Sequence, residues 1–190
     1  MLNKSQQQGF TLLEVMVALF VLSVGLLGVV KLEALAYSST NIASKRSIAA
    51  LEAASLAASM HVNRGYWTTP DTSGASFVVT PSALPAGQVT STAPLLAALA
   101  NTPQTCTVIG APCAPLNMAL YDLQQWAAPT GAPGTALASV SPNVVATINC
   151  GTTTPISCMI NIQWAENAVN LGTQETGVLQ GPSYTLYVEP

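Results

Sequence analysis

Glu14 is the residue whose position most demands a chemical explanation. It stands inside residues 10–30, an almost continuous apolar run in which only Thr11, Glu14 and Ser23 are polar. A carboxylate deep in a membrane helix costs on the order of 2.5–3.5 kcal/mol on insertion scales, and such residues are normally paired. No basic residue lies one turn away on either side. Its partner is therefore expected from outside the segment. Four cysteines form the second candidate group: Cys106, Cys113, Cys150 and Cys158, all in the C-terminal half. An even number at short spacings fits disulfides made in an oxidising compartment. Other chemistry finds little support. His61 is the one histidine, and no Cys, Asp or second His stands close to it in sequence for metal binding or catalysis. Asp71 and Asp122 are the two aspartates, in unrelated contexts, so no Ser-His-Asp set can be assembled. Asp122 is expected to face solvent or cap a neighbouring group. There is no CxxC pair, no phosphate-cradling glycine loop and no metal-ligand spacing, so neither an enzyme nor a cofactor is expected.

Composition narrows the partners further. Charged residues make up 7% of the 190-residue chain, against about 25% in ordinary soluble domains. Five Lys and Arg face eight Asp and Glu. This balance lacks the basic stripe that a phosphate backbone requires, which argues against nucleic acid as a partner.

The elements that must position Glu14 begin with a short polar segment, residues 1–9, carrying Lys4. The apolar run that follows would be about 30 Å long as a helix, enough to cross a bilayer core. It is too long for the 7–15-residue apolar core of a secretory signal peptide, and no Ala-x-Ala site closes it. A plain membrane anchor would fit the length but would leave Glu14 unexplained.

The run Gly9-Phe10-Thr11-Leu12-Leu13-Glu14 resembles the type III signal of type IV prepilins. That resemblance implies cleavage between Gly9 and Phe10 by a membrane prepilin peptidase and N-methylation of Phe10. It makes Glu14 the fifth residue of the mature chain, where the family keeps its glutamate. The new α-amine of an incoming subunit can then meet Glu14 of a neighbour already in the filament. Such a pair would neutralise both charges in an apolar bundle and fix axial register, the best-attested role of buried ionic groups.

No proline precedes Pro70, so one helix is expected from Phe10 to about Asn63, roughly 80 Å at 1.5 Å per residue. Gly25 and Gly28 are its soft spots, each costing about 1 kcal/mol relative to Ala. Leu35, Ile42, Ala49 and Leu56 recur every seven residues, with Leu32, Ala53 and Met60 on the adjoining row. This apolar stripe should pack on a C-terminal domain. Gly65 is expected as the C′ residue that ends the helix.

Residues 66–105 read as a long, largely irregular connection, with Phe77-Val78-Val79-Thr80 as a short strand and residues 95–100 as a helical turn or two. Residues 115–126 read as a short helix with Leu116, Leu120 and Leu123 on one face. Strands are expected at residues 142–150, 158–164 and 184–188. In the second of these, Cys158, Ile160, Ile162 and Trp164 alternate to one face. Four cysteines allow three connectivities; the pairs adjacent in sequence, Cys106 with Cys113 and Cys150 with Cys158, are the expected ones.

The expected fold class is α+β, type IV pilin-like, with a long N-terminal helix packed on a small antiparallel sheet. The organisation is a leader at residues 1–9, a hydrophobic half-helix at 10–30, an amphipathic half at 31–64 and a globular domain at 65–190. The run Cys-x-Pro…Met-Ala-x-Tyr-Asp-Leu-x-x-Trp at residues 113–126 resembles the PilV-like branch of minor pilins. By that resemblance the chain would help prime pilus assembly, with effects on adhesion, twitching motility or DNA uptake. Its partners would be the major pilin, other minor pilins, the prepilin peptidase and the inner-membrane assembly platform. It would reside in the inner membrane, with its C-terminal domain periplasmic, and then in the pilus. Two alternatives are a pseudopilin of type II secretion and a tip-displayed adhesin, whose loops at residues 66–105 and 172–181 would bind a surface ligand.

Overall fold

A computed structural model of the chain describes residues 11–81, 88–99, 102, 105–106, 113–127, 136–141, 143–165 and 181–190. The chain divides into two compact units, Met1–Asn41 and Ile42–Pro190, the division falling inside the first helix.

Helix α1 spans Leu12–Val62. Thr11 starts it: the Glu14 amide donates to the Thr11 carbonyl at 3.0 Å and more weakly to Oγ1 at 3.4 Å. The helix continues unbroken through Gly25 and Gly28, where an added Cβ would meet open space. In the first unit its side chains are largely exposed, and Leu32 is 68% exposed rather than part of a buried stripe. The buried stripe belongs to the second unit, where Ala49, Ala53, Leu56 and Met60 enter the core.

The end of α1 differs from expectation. Gly65 is not a left-handed C′ residue. It lies inside a short helix, α2 (Arg64–Trp67), which follows directly on Asn63. The Tyr66 and Trp67 amides donate to the Asn63 carbonyl at 3.1 and 3.4 Å, and buried Asn63 donates from Nδ2 to the Pro115 carbonyl at 2.8 Å. A Cβ at position 65 would stand 3.4 Å from the Pro115 ring, an ordinary van der Waals contact.

The stretch expected to be largely irregular carries the expected short strand and helical turns, and a second strand besides. Strand β1 (Ser76–Thr80) and strand β2 (Gln88–Ser91) pair antiparallel, with Val79 opposite Val89. Helix α3 (Pro94–Leu99) follows. Both valines are fully buried, so a single apolar residue holds the polar β2 to the core. Helix α4 (Pro115–Ala127) buries Ala119, Leu120, Leu123 and Trp126. The Trp126 indole N–H donates to the Glu52 carbonyl of α1 at 3.0 Å. A 3-10 turn covers Ala136–Ser139.

Strands β3 (Val145–Cys150), β4 (Cys158–Gln163) and β5 (Ser183–Val188) complete a five-stranded antiparallel sheet of order β2-β1-β3-β4-β5. The alternation in β4 buries Cys158, Ile160 and Ile162, and Trp164 just beyond it. Trp67 lies at the centre of the aromatic packing, edge-on to Tyr66 (5.4 Å) and to Phe77 of β1 (5.3 Å). The result is an α+β, type IV pilin-like architecture: a long N-terminal helix followed by a small antiparallel sheet.

Candidate functional site

The first turns of α1 bring together what the sequence marks for assembly. Thr11 is the N-cap and Glu14 the third helical residue, a Thr-x-x-Glu spacing that suits a helix start. Glu14 is the acidic residue of the first turn, where a carboxylate meets the positive end of the helix dipole. Sequence reasoning passed over this capping role of Thr11, although the spacing signals it. Around Glu14 the helix surface is apolar and open: Leu12 and Leu13 are more than 70% exposed, and Phe20 is 70% exposed. The helix is long and apolar enough to cross a membrane. Among the described residues no cation stands beside Glu14. Lys31, the next basic residue along α1, is about 25 Å up the axis at 1.5 Å per residue. Gly9 and Phe10, the expected cleavage and methylation residues, lie outside the described residues.

The cysteines form two bridges, Cys106–Cys113 and Cys150–Cys158. Cys150 and Cys158 face each other in the β3–β4 register and are both buried, so this bridge is part of the core. Cys106 and Cys113 flank residues 107–112, which lie outside the described residues. So do residues 172–180 of the loop considered for ligand binding.

The other polar residues take structural places. His61 is exposed, and no group of three or more His, Cys, Asp or Glu able to hold a metal occurs among the described residues. Asp71 accepts hydrogen bonds from the Tyr66 hydroxyl at 2.9 Å and from the Leu95 amide at 3.1 Å, tying the turn after α2 to the first turn of α3. Burial, together with the Asp71 carboxylate, pushes the Tyr66 phenol above its usual range. Asp71→Ala should cost about 2 kcal/mol, since hydrogen bonds to charged groups are worth about 1.5–3 kcal/mol. Chemical denaturation measures this, and a loss below about 0.5 kcal/mol would show the tie to be immaterial.

Asp122 corrects the expectation of a solvent-facing or capping residue: it is half-buried on α4. Burial pushes its carboxyl from 3.8 up to about 6. A folded-state pKa above the unfolded value means that the fold favours the neutral acid. The resulting stability is present below about pH 4 and is lost as pH rises through about 6. Asp122→Asn should flatten that fall and raise stability at pH 7 by on the order of 1 kcal/mol, after discounting for solvent screening. Urea unfolding at pH 4 and pH 7 tests this; an identical pH slope in both proteins would contradict it.

Residues 4–30 match the family model described as the prokaryotic N-terminal methylation motif. No curated protein and no solved structure shows a significant match to the chain. The matched segment is prepilin-like, a type shared by pilins and pseudopilins, which are structural proteins processed by prepilin peptidase. With the apolar helix it fits inner-membrane anchoring before assembly.

Proposed function

We propose that this chain is a minor pilin of the PilV-like kind, one that primes type IV pilus assembly near the filament tip. One observation carries the reading: Glu14 sits four residues after Phe10, at the start of an unbroken helix whose apolar surface is open, and among the described residues no cation stands beside the carboxylate. In this reading residues 1–9 are the leader, and cleavage after Gly9 creates the Phe10 amine, which is then methylated. Residues 10–30 hold the subunit in the inner membrane and then in the filament core. Residues 31–64 lead from there into the globular domain at 65–190, which is exported and oxidised. An incoming amine docks on the Glu14 carboxylate of a subunit already placed. The partners are the major pilin, other minor pilins and the assembly platform.

Deleting the gene separates this role from that of a secretion pseudopilin. A priming pilin leaves few or no surface filaments when deleted, with exoprotein secretion intact. Loss of secretion with normal filament numbers would assign the chain to a pseudopilus instead.

A further inference from the structure

The first turns of α3 and α4 meet α2 around an open cavity of about 620 Å³, inside the range of roughly 300–1,000 Å³ typical of small-ligand sites. The described residues that line it all belong to the globular unit. Its walls are apolar: Pro70, Pro94 and Pro115 surround it together with Leu95 and Leu116. The walls are also tied in place. Asp71 accepts from the Leu95 amide at the start of α3, and Asn63 donates to the Pro115 carbonyl at the start of α4. A ligand would therefore meet a site already ordered, without the cost of immobilising it.

The hydrogen-bonding capacity of this cavity is one-sided. The three prolines have no N–H to offer. Both hydroxyls in the wall are already donating, Tyr66 to Asp71 at 2.9 Å and Thr69 to the Tyr66 carbonyl at 2.7 Å. What remains is acceptor capacity. Each Asp71 oxygen takes one hydrogen bond and keeps a further lone pair. No Lys, Arg or His is among the described lining residues, and no cation stands beside Asp71 among the described residues. The first turn of α4 brings about half a positive charge, less than the full negative charge of the carboxylate.

We propose that this cavity binds a small organic cation, a primary amine on an apolar stem. The stem fills the space between the prolines and leucines, and the ammonium donates to Asp71. Such charge-assisted bonds are about twice as strong as neutral ones. An anion of the same shape would face the carboxylate with no side-chain donor to offset it. A bare metal ion fits poorly: calcium takes about six to eight oxygens, and Asp71 is the one carboxylate among the described lining residues. The proposal is independent of whether the chain enters a filament.

Probes of one shape separate charge from stem: phenethylamine, phenethyl alcohol and phenylpropionate. Saturation-transfer NMR on the detergent-solubilised full chain at neutral pH measures each, with protein-free detergent as background. The amine should bind saturably with a Kd of about 1 mM or tighter. The alcohol should bind at least about tenfold more weakly, and the carboxylate should not bind. Asp71→Asn removes the charge and should bring the amine down to the affinity of the alcohol. Leu95 is 59% exposed, so Leu95→Ser leaves the fold intact and should weaken amine and alcohol alike. Far-ultraviolet circular dichroism checks that each variant is folded, and the comparison of amine with alcohol on the natural chain needs no variant. Equal affinities for amine and alcohol there, amine binding unchanged by Leu95→Ser, or no saturable amine binding would each overturn the proposal.

Discussion

Glu14→Val should leave the leader junction cut but lower the amount of this protein in sheared filaments by at least about tenfold. Cleavage needs the Gly9–Phe10 bond at the membrane face, and the variant leaves that bond and the apolar helix untouched. Insertion alone should become easier, because the valine removes a carboxylate costing on the order of 2.5–3.5 kcal/mol at depth. Docking is where the loss falls. The incoming amine would enter an apolar bundle with no anion to meet it, and removing one member of a buried pair costs about 3–5 kcal/mol. Every 1.4 kcal/mol is a factor of ten, so a tenfold loss is a lower bound. Glu14→Asp keeps the charge on a shorter stem and should recover part of the incorporation. Blotting membranes and sheared filaments against the same antibody reads both steps. Normal recovery of the valine variant in filaments would remove the amine–Glu14 pairing from the account.

Trp67→Ala should cost the globular unit about 3–5 kcal/mol, the range for truncating a buried large aromatic. Trp67 is 1% exposed. It joins α2 to β1 through its contact with Phe77 and packs edge-on against Tyr66. These aromatic pairs add about 0.5–1.5 kcal/mol each beyond their buried area. No small shift can refill so large a gap in a close-packed interior. A loss of this size is a large fraction of the 5–15 kcal/mol that holds typical domains together. Denaturant unfolding followed by far-ultraviolet circular dichroism should show an earlier midpoint. A loss below about 1 kcal/mol would show that Trp67 is not the centre of this packing.

Local periodicity made much of the fold legible. A proline-free stretch with apolar content at helical spacing announces α1, and strict alternation announces β4 with its buried Cys158, Ile160 and Ile162. β2 was not legible, because Gln88, Thr90 and Ser91 read as loop and only pairing with β1 buries Val89. The fate of Gly65 was hidden for a similar reason. The chain there is tied to Pro115, far along the sequence, whose carbonyl accepts from Asn63 and whose ring lies beside the glycine. The candidate site is read from sequence alone, since its chemistry lies in a short segment: a glycine, an aromatic and a carboxylate at fixed spacing at the start of an apolar run, within the residues that match the methylation motif. Attention to that spacing as a processing signal left its second meaning unread, with Thr11 and Glu14 together starting the helix. Asp71 shows the opposite case. Its two donors, Tyr66 and Leu95, are brought together by tertiary folding alone.

The most direct test of the central claim is the N-terminus of this protein in sheared filaments, determined by mass spectrometry in cells with and without prepilin peptidase. The account predicts a chain beginning at N-methylated Phe10 in the filaments of the first strain, and an uncut chain confined to membranes in the second. An uncut chain in the membranes of both strains, with none in filaments, would contradict it and leave α1 a plain membrane anchor.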